Sequence, residues 1–123
     1  MTSAPALVLT EPLSLWGGMD PATGTVIDVH HPQRGASLVG RVVVMPAARG
    51  SSSSASVLAE AVRARTAPAA ILLGEPDLIL AIGSLVAEEL YGVRVPVLVG
   101  DPAILAEIRD GDSIGIDGES WSR

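Results

Sequence analysis

Apolar residues along this chain come in short bursts, and the spacing within the bursts changes from one end to the other. Ala6 to Leu9 is a brief apolar run closed by Glu11-Pro12, which predicts a strand. Trp16 to Gly24 is dense in glycine, proline and aspartate and reads as a loop. Thr25 to Val29 predicts a second strand, His30 to Gly35 another loop, and Leu38 to Met45 a third strand with Gly40 inside it. The period then lengthens. Leu58, Ala61, Val62 and Arg65 fall at i, i+3, i+4 and i+7, which predicts a helix with Glu60 and Arg63 on its polar side. Thr66-Ala67-Pro68 stops it.

Ala69 to Leu73 predicts a buried strand, followed by the turn Gly74 to Asp77. Asp77 can cap a second helix that reaches Leu90 and ends at Gly92, with a break expected at Gly83-Ser84. Val95 to Val99 is a further strand, placed at a strand start or sheet edge by Pro96. Pro102 to Ile108 predicts a short helix, and Ser113 to Asp117 a last strand. The first part is nearly all strand and loop. This order favours a β/β/α or barrel-like α/β domain over a regular Rossmann alternation, with residues 1–123 as a single domain.

Composition removes several function classes. Apolar residues make up 48% of the chain, so disorder is excluded. Phenylalanine is absent, so the core must be built from Val, Leu, Ile and Ala. The formal charge is −6, with no lysine and no cluster of arginines. Nucleic acid and anionic membranes require a basic face, so neither is an expected partner. There is no cysteine, hence no disulfide and no thiolate for an iron–sulfur cluster. Met1 to Pro5 lacks the basic start of a secretory signal, and the longest apolar run, Leu78 to Ala87, is too short to span a bilayer. A cytoplasmic domain is the expectation.

The most informative chemistry is the run Arg49-Gly50-Ser51-Ser52-Ser53-Ser54, set between the apolar strand and the first helix. Serine and glycine cap helices, which is one reading. Four consecutive serines exceed what one cap requires. The other reading is an anion site, since a helix start exposes N–H groups that attract carboxylate or phosphate. The run lacks the Lys-Ser/Thr ending of a Walker loop, and the chain lacks G-x-S-x-G. Arg41 and Arg49 bracket the strand before the corner and could either pair with an anion or keep a strand end in water.

In Trp16-Gly17-Gly18-Met19-Asp20 the paired glycines either make a turn or let a ligand or partner approach the backbone closely. Asp28, His30 and His31 suggest a metal. Adjacent residues of an extended segment point to opposite faces, however, and two ligands are too few. The histidines read as loop residues near the surface, and no metal site is expected in this chain.

Taken in order, the segments resemble the small subunit, or swivelling domain, of the aconitase X family. The resemblance rests on Leu7 to Pro21, on His31-Pro32 with Gly35-Ala36-Ser37-Leu38, and on Arg49 to Ser54. Thr66 to Leu72 and Glu88-Glu89-Leu90-Tyr91-Gly92 continue it. It implies an α/β fold of the swivelling β/β/α type, like the mobile domain of aconitase. Members are dehydratases whose large subunit holds an iron–sulfur cluster as Lewis acid, so this chain would carry no cofactor and would form a heterodimer with that subunit. The swivelling domain supplies a serine base, which corresponds to Ser51. Arg49, Gly50, Ser52, Ser53, Gly17, Gly18 and Asp20 are the matching candidates for binding a small hydroxy-acid substrate.

Two departures qualify what the resemblance implies. In aconitase an arginine follows the serine pair, whereas Ser53 stands in that place here. A guanidinium would have to come from Arg49, Arg41 or the large subunit. The poly-serine corner is similar to the bacterial branch acting on cis-3-hydroxy-L-proline, while Gly-Ser-Thr is common in archaeal members resembling mevalonate 5-phosphate dehydratases. The small subunit of that second enzyme, and a non-catalytic carboxylate-binding module, are the alternatives.

Overall fold

The apolar run Val42 to Met45 becomes the strand on which the fold is hung. In the computed structural model, which describes residues 2–123, it is β4 of twelve short elements. These are β1 (Thr2–Val8), α1 (Leu15–Gly18), β2 (Met19–Asp20), β3 (Thr25–Val26), β4 (Val42–Met45) and α2 (Ser54–Ala64). There follow β5 (Ala70–Leu73), α3 (Leu78–Tyr91), β6 (Val97–Val99), α4 (Pro102–Leu105), β7 (Ser113–Asp117) and β8 (Ser120–Ser122). The main sheet has the order β6-β5-β4-β1-β7-β8. Its first four strands run parallel, β7 is antiparallel to β1, and β8 is antiparallel to β7. β2 and β3 form a separate antiparallel ribbon.

Strand alternation divides the core in two. Leu7, Val43, Met45, Ile71 and Leu73 point to the face covered by α2 and α3, where they meet Leu58, Ala61, Leu80 and Ala87. Ala6, Val42, Val44, Ala70 and Leu72 point the other way, onto Leu105, Ile108, Ile114 and Ile116. Both faces are buried, which is why β4 and β5 are unbroken apolar runs rather than alternating ones. β8 curls back so far that a Cβ built on Gly100, just past β6, would lie 2.8 Å from the Trp121 ring. The sheet is thus nearly closed, as the barrel-like α/β reading requires.

Several expectations are corrected. The third strand begins at Val42 rather than Leu38, and the second ends at Val26. Residues 38–41 turn instead, with Arg41 N–H donating to the Leu38 carbonyl at 3.1 Å. The expected break at Gly83-Ser84 does not occur: α3 is continuous. Gly83 is there for proximity, since a Cβ at that position would lie 2.9 Å from the Ala55 backbone of α2. The Ser84 hydroxyl donates to the Val95 carbonyl. Among the described residues no helix is long and apolar enough to cross a membrane.

Candidate functional site

β4 delivers the chain to the carboxyl end of the parallel strands, and residues 46–53 carry it over to α2. Gly50, Ser52 and Ser53 are exposed, as is Arg49, and Ser51 is half-buried. The hydrogen bonding differs from an ordinary serine cap. Ser53, the residue before the helix, makes no side-chain cap bond and has helical angles (φ −71°, ψ −13°). Instead the Ser51 hydroxyl accepts from the Ser53 N–H at 3.3 Å, and the Ser51 carbonyl accepts from the Ser54 N–H at 3.0 Å. Among the described residues, the N–H groups of Gly50, Ser51 and Ser52 donate to nothing. Three successive free N–H groups thus stand in front of an eleven-residue helix.

Ser54 has a role the sequence reading missed. It is buried, and its hydroxyl accepts from the Trp16 N–H at 3.2 Å while lying 3.5 Å from the Ser14 hydroxyl. The Arg49 N–H donates to the Leu13 carbonyl at 3.2 Å. These bonds pin the Trp16-Gly17-Gly18 turn against the serine corner, so two candidate segments form one surface. A signal for this did exist: Ser54 precedes Leu58 and Ala61 at i+4 and i+7, a polar residue on the apolar stripe.

The glycines divide by environment. Gly17 is exposed with φ +78°, a backbone shape that side chains resist, and a Cβ there would meet nothing within 4 Å. Gly18 is buried, and its carbonyl accepts from the Ile27 N–H at 2.8 Å. Leu15, Ser51, Ser54, Asp77 and Leu80 line a dimple beneath the corner with no water-sized space inside it. The dimple is too small to hold a ligand.

Two candidates lie elsewhere. Asp20 ends β2 and opens the turn to β3, where its carboxylate accepts from the Ala22 N–H at 2.9 Å. That turn docks through the Pro21 carbonyl onto Thr66, beyond the far end of α2, about 16 Å of helix from Ser54. Arg41 lies at the opposite end of β4 from the corner, with its guanidinium on the Ala6 carbonyl at 2.6 Å and on Asp110 at 3.4 Å. Of the arginines offered by this chain, Arg49 is the one the fold places at the corner. His31 also differs from expectation. It is buried, with Nδ1 accepting from the Gln33 N–H at 3.0 Å, which leaves Nε2 to donate to the Glu11 carbonyl at 3.0 Å.

This arrangement has known counterparts. Residues 1–122 match the family model of the aconitase X swivel domain. The chain belongs to the aconitase X swivel domain family. A cis-3-hydroxy-L-proline dehydratase of Pseudomonas aeruginosa is 54% identical over 85 residues, which cover 69% of this chain and 15% of that protein. A phosphomevalonate dehydratase small subunit of Methanocella arvoryzae is 33% identical over 117 residues, covering 94% of this chain and 84% of that one. The crystal structure of Thermococcus kodakaraensis aconitase X in its holo-form superposes with a TM-score of 0.81 at 29% identity, over 92% of this swivel domain and 80% of that chain. The domain spans only 15–16% of the length of two cis-3-hydroxy-L-proline dehydratases it matches.

Proposed function

We propose that residues 1–123 act as one swivelling body, the small subunit of an aconitase X-type hydro-lyase, with Ser51 as the base. Support comes first from the corner itself. A hydroxyl that accepts a backbone N–H, beside three unpaired N–H groups, is where a carboxylate could be held and an alkoxide favoured. The substrate carboxylate would lie on the N–H groups of Gly50, Ser51 and Ser52, with the Arg49 guanidinium as counter-charge and Ser53 at the rim. Gly17 would form the neighbouring wall, with buried Gly18 behind it holding the turn in place. Asp20, at the other end of α2, would act on this surface only through the hairpin it shapes.

The substrate proposed is cis-3-hydroxy-L-proline, on the strength of the 54% identical dehydratase. Ser51 Oγ takes the proton from the ring carbon bearing the carboxylate. That C–H electron pair becomes the new double bond as the 3-hydroxyl leaves, and a second proton, supplied by solvent or by an acid on the large subunit, completes the departing water. The proton on Ser51 then passes to solvent when the domain swings away.

The iron–sulfur cluster implied by the family does not fit the donors present. The sequence contains no cysteine, and among the described residues no three His, Cys, Asp or Glu side chains converge. The cluster would be held by the large subunit. When bound there, it would supply Lewis-acid chemistry.

The experiment is the co-expressed complex, offered cis-3-hydroxy-L-proline and mevalonate 5-phosphate in parallel. Turnover of the first, and its loss in Ser51→Ala with the complex intact, is the expected result. Near-normal turnover by that variant would remove Ser51 from the chemistry. Preference for the second substrate would assign the chain with the phosphomevalonate dehydratase small subunits, a reading favoured by the 33% identity spanning 94% of this chain.

A further inference from the structure

α3 is apolar on both of its long sides. Leu80, Gly83, Ser84 and Ala87 face inward and are buried, with Leu80 and Ala87 in the core shared by α2 and the sheet. Leu78, Ile82, Leu85, Val86 and Leu90 fall at i, i+4, i+7, i+8 and i+12, a second stripe pointing away from the core. Every one of them is exposed: Leu78 by 74%, Leu85 by 65% and Leu90 by 63%. A helix apolar all round belongs in an interior. A run of exposed apolar side chains of this length marks an interaction surface.

Three observations bear on what covers it. The amino end of α3 lies at the serine corner, because Asp77 and Leu80 line the same dimple as Ser51, and Leu78 opens the stripe at that end. A body that closes over Ser51 from that side therefore comes down along α3. Second, the dehydratases that contain this segment hold it as 15–16% of a much longer chain, and other relatives are named small subunits. A larger body is thus part of these proteins. A second copy of this chain would bring only another serine corner. Third, Glu88 and Glu89 are exposed beside the stripe and form no ion pair among the described residues. Their charge asks for a basic rim on whatever sits there.

We propose that the outer face of α3 is the seat of the large subunit, which presents an apolar groove bordered by arginine or lysine to Leu78, Ile82, Leu85 and Leu90, with the basic border meeting Glu88 and Glu89. This rests on the reading of the chain as a small subunit. It adds the surface on which the two bodies bear against each other. The same stripe gives a sliding contact for a swivelling domain, since apolar side chains hold no fixed hydrogen-bond register.

The test measures binding of the purified chain to its co-purified aconitase X large subunit. Leu85→Glu should weaken binding at least 100-fold, and the milder Leu85→Ser about tenfold, both with an unchanged melting curve. Ile104→Glu, on α4 across the sheet and also exposed, should bind within twofold of the parent. Glu88→Gln with Glu89→Gln should flatten the salt dependence of binding. If the parent chain binds and both Leu85 variants bind within threefold of it, the seat is elsewhere while the small-subunit reading stands. If the parent chain does not bind at all, both fall. A dimer of the isolated chain that Leu85→Glu dissolves, with large-subunit binding retained, would give the face to a second copy and overturn the proposal.

Discussion

The two ends of α2 are built on opposite terms. At its carboxyl end the backbone is satisfied. The Arg65 N–H reaches the Ala61 and Val62 carbonyls, the Thr66 N–H donates to the Ala61 carbonyl at 2.9 Å, and the Thr66 hydroxyl donates to the Pro21 carbonyl at 2.6 Å. At its amino end Ser53 offers no side-chain cap, and the three N–H groups ahead of it are free. Every helix start has donors to satisfy, through side chains, water or a ligand. Here four serines stand at the place where one cap bond would suffice, and among the described residues only the Ser51 hydroxyl takes up a neighbouring N–H of this run, that of Ser53. The finished end holds the β2–β3 hairpin; ahead of the other end the N–H groups of residues 50–52 are left free.

That contrast can be broken by experiment. Ser51→Ala should leave the melting temperature within about 1 °C, because its hydroxyl accepts a single 3.3 Å bond at the surface. Turnover of the complex should fall by about 10²–10⁴-fold, the range for losing a general base. A large loss of stability instead would make the unfinished end structural after all. Gly83→Ala acts through packing. Its Cβ would lie 2.9 Å from the Ala55 backbone in the first turn of α2, so about 1–3 kcal/mol of stability should be lost in urea unfolding.

Smaller effects sharpen the other end. Thr66→Val removes the bond to the Pro21 carbonyl and should cost about 1.5 kcal/mol, with turnover unchanged below the melting transition. Arg65 is a left-handed residue with a side chain (φ 64°), so Arg65→Gly should gain about 1 kcal/mol. The smallest effect is the exposed Glu60–Arg63 pair. The hydrogen bond from Arg63 holds the Glu60 carboxyl below its ordinary value. A lowered carboxyl contributes stability above its unfolded value and loses it as pH falls through the folded one. The slight advantage over Glu60→Gln should therefore vanish in acid, as read from melting temperatures across that range.

Most of the fold was legible because its elements are dense and local. Val42 to Met45, Ala70 to Leu73 and the α2 stripe declare themselves by composition and period. β8 escaped notice because Ser120-Trp121-Ser122 has a single apolar residue, which finds its place only once the sheet curls toward Gly100. Gly83 was misread because its reason is a neighbouring helix, invisible to any local rule. The corner is legible from its position between strand and helix. Its partnership with Trp16 depends on a bond between residues 38 apart in sequence. Asp20 shows the limit of motif reading, since a residue near Gly17 and Gly18 in the chain ends up beyond the far end of a helix.

The Ser54 hydroxyl on the Trp16 N–H has a mechanical meaning. It welds a loop and a helix start into one tooth, so a force applied to the exposed Trp16 ring is felt by the first turn of α2. In the closure proposed above, a tooth whose parts are set when the chain folds would need no ordering at each encounter. Closure then costs the loss of one body's freedom rather than that of two loops.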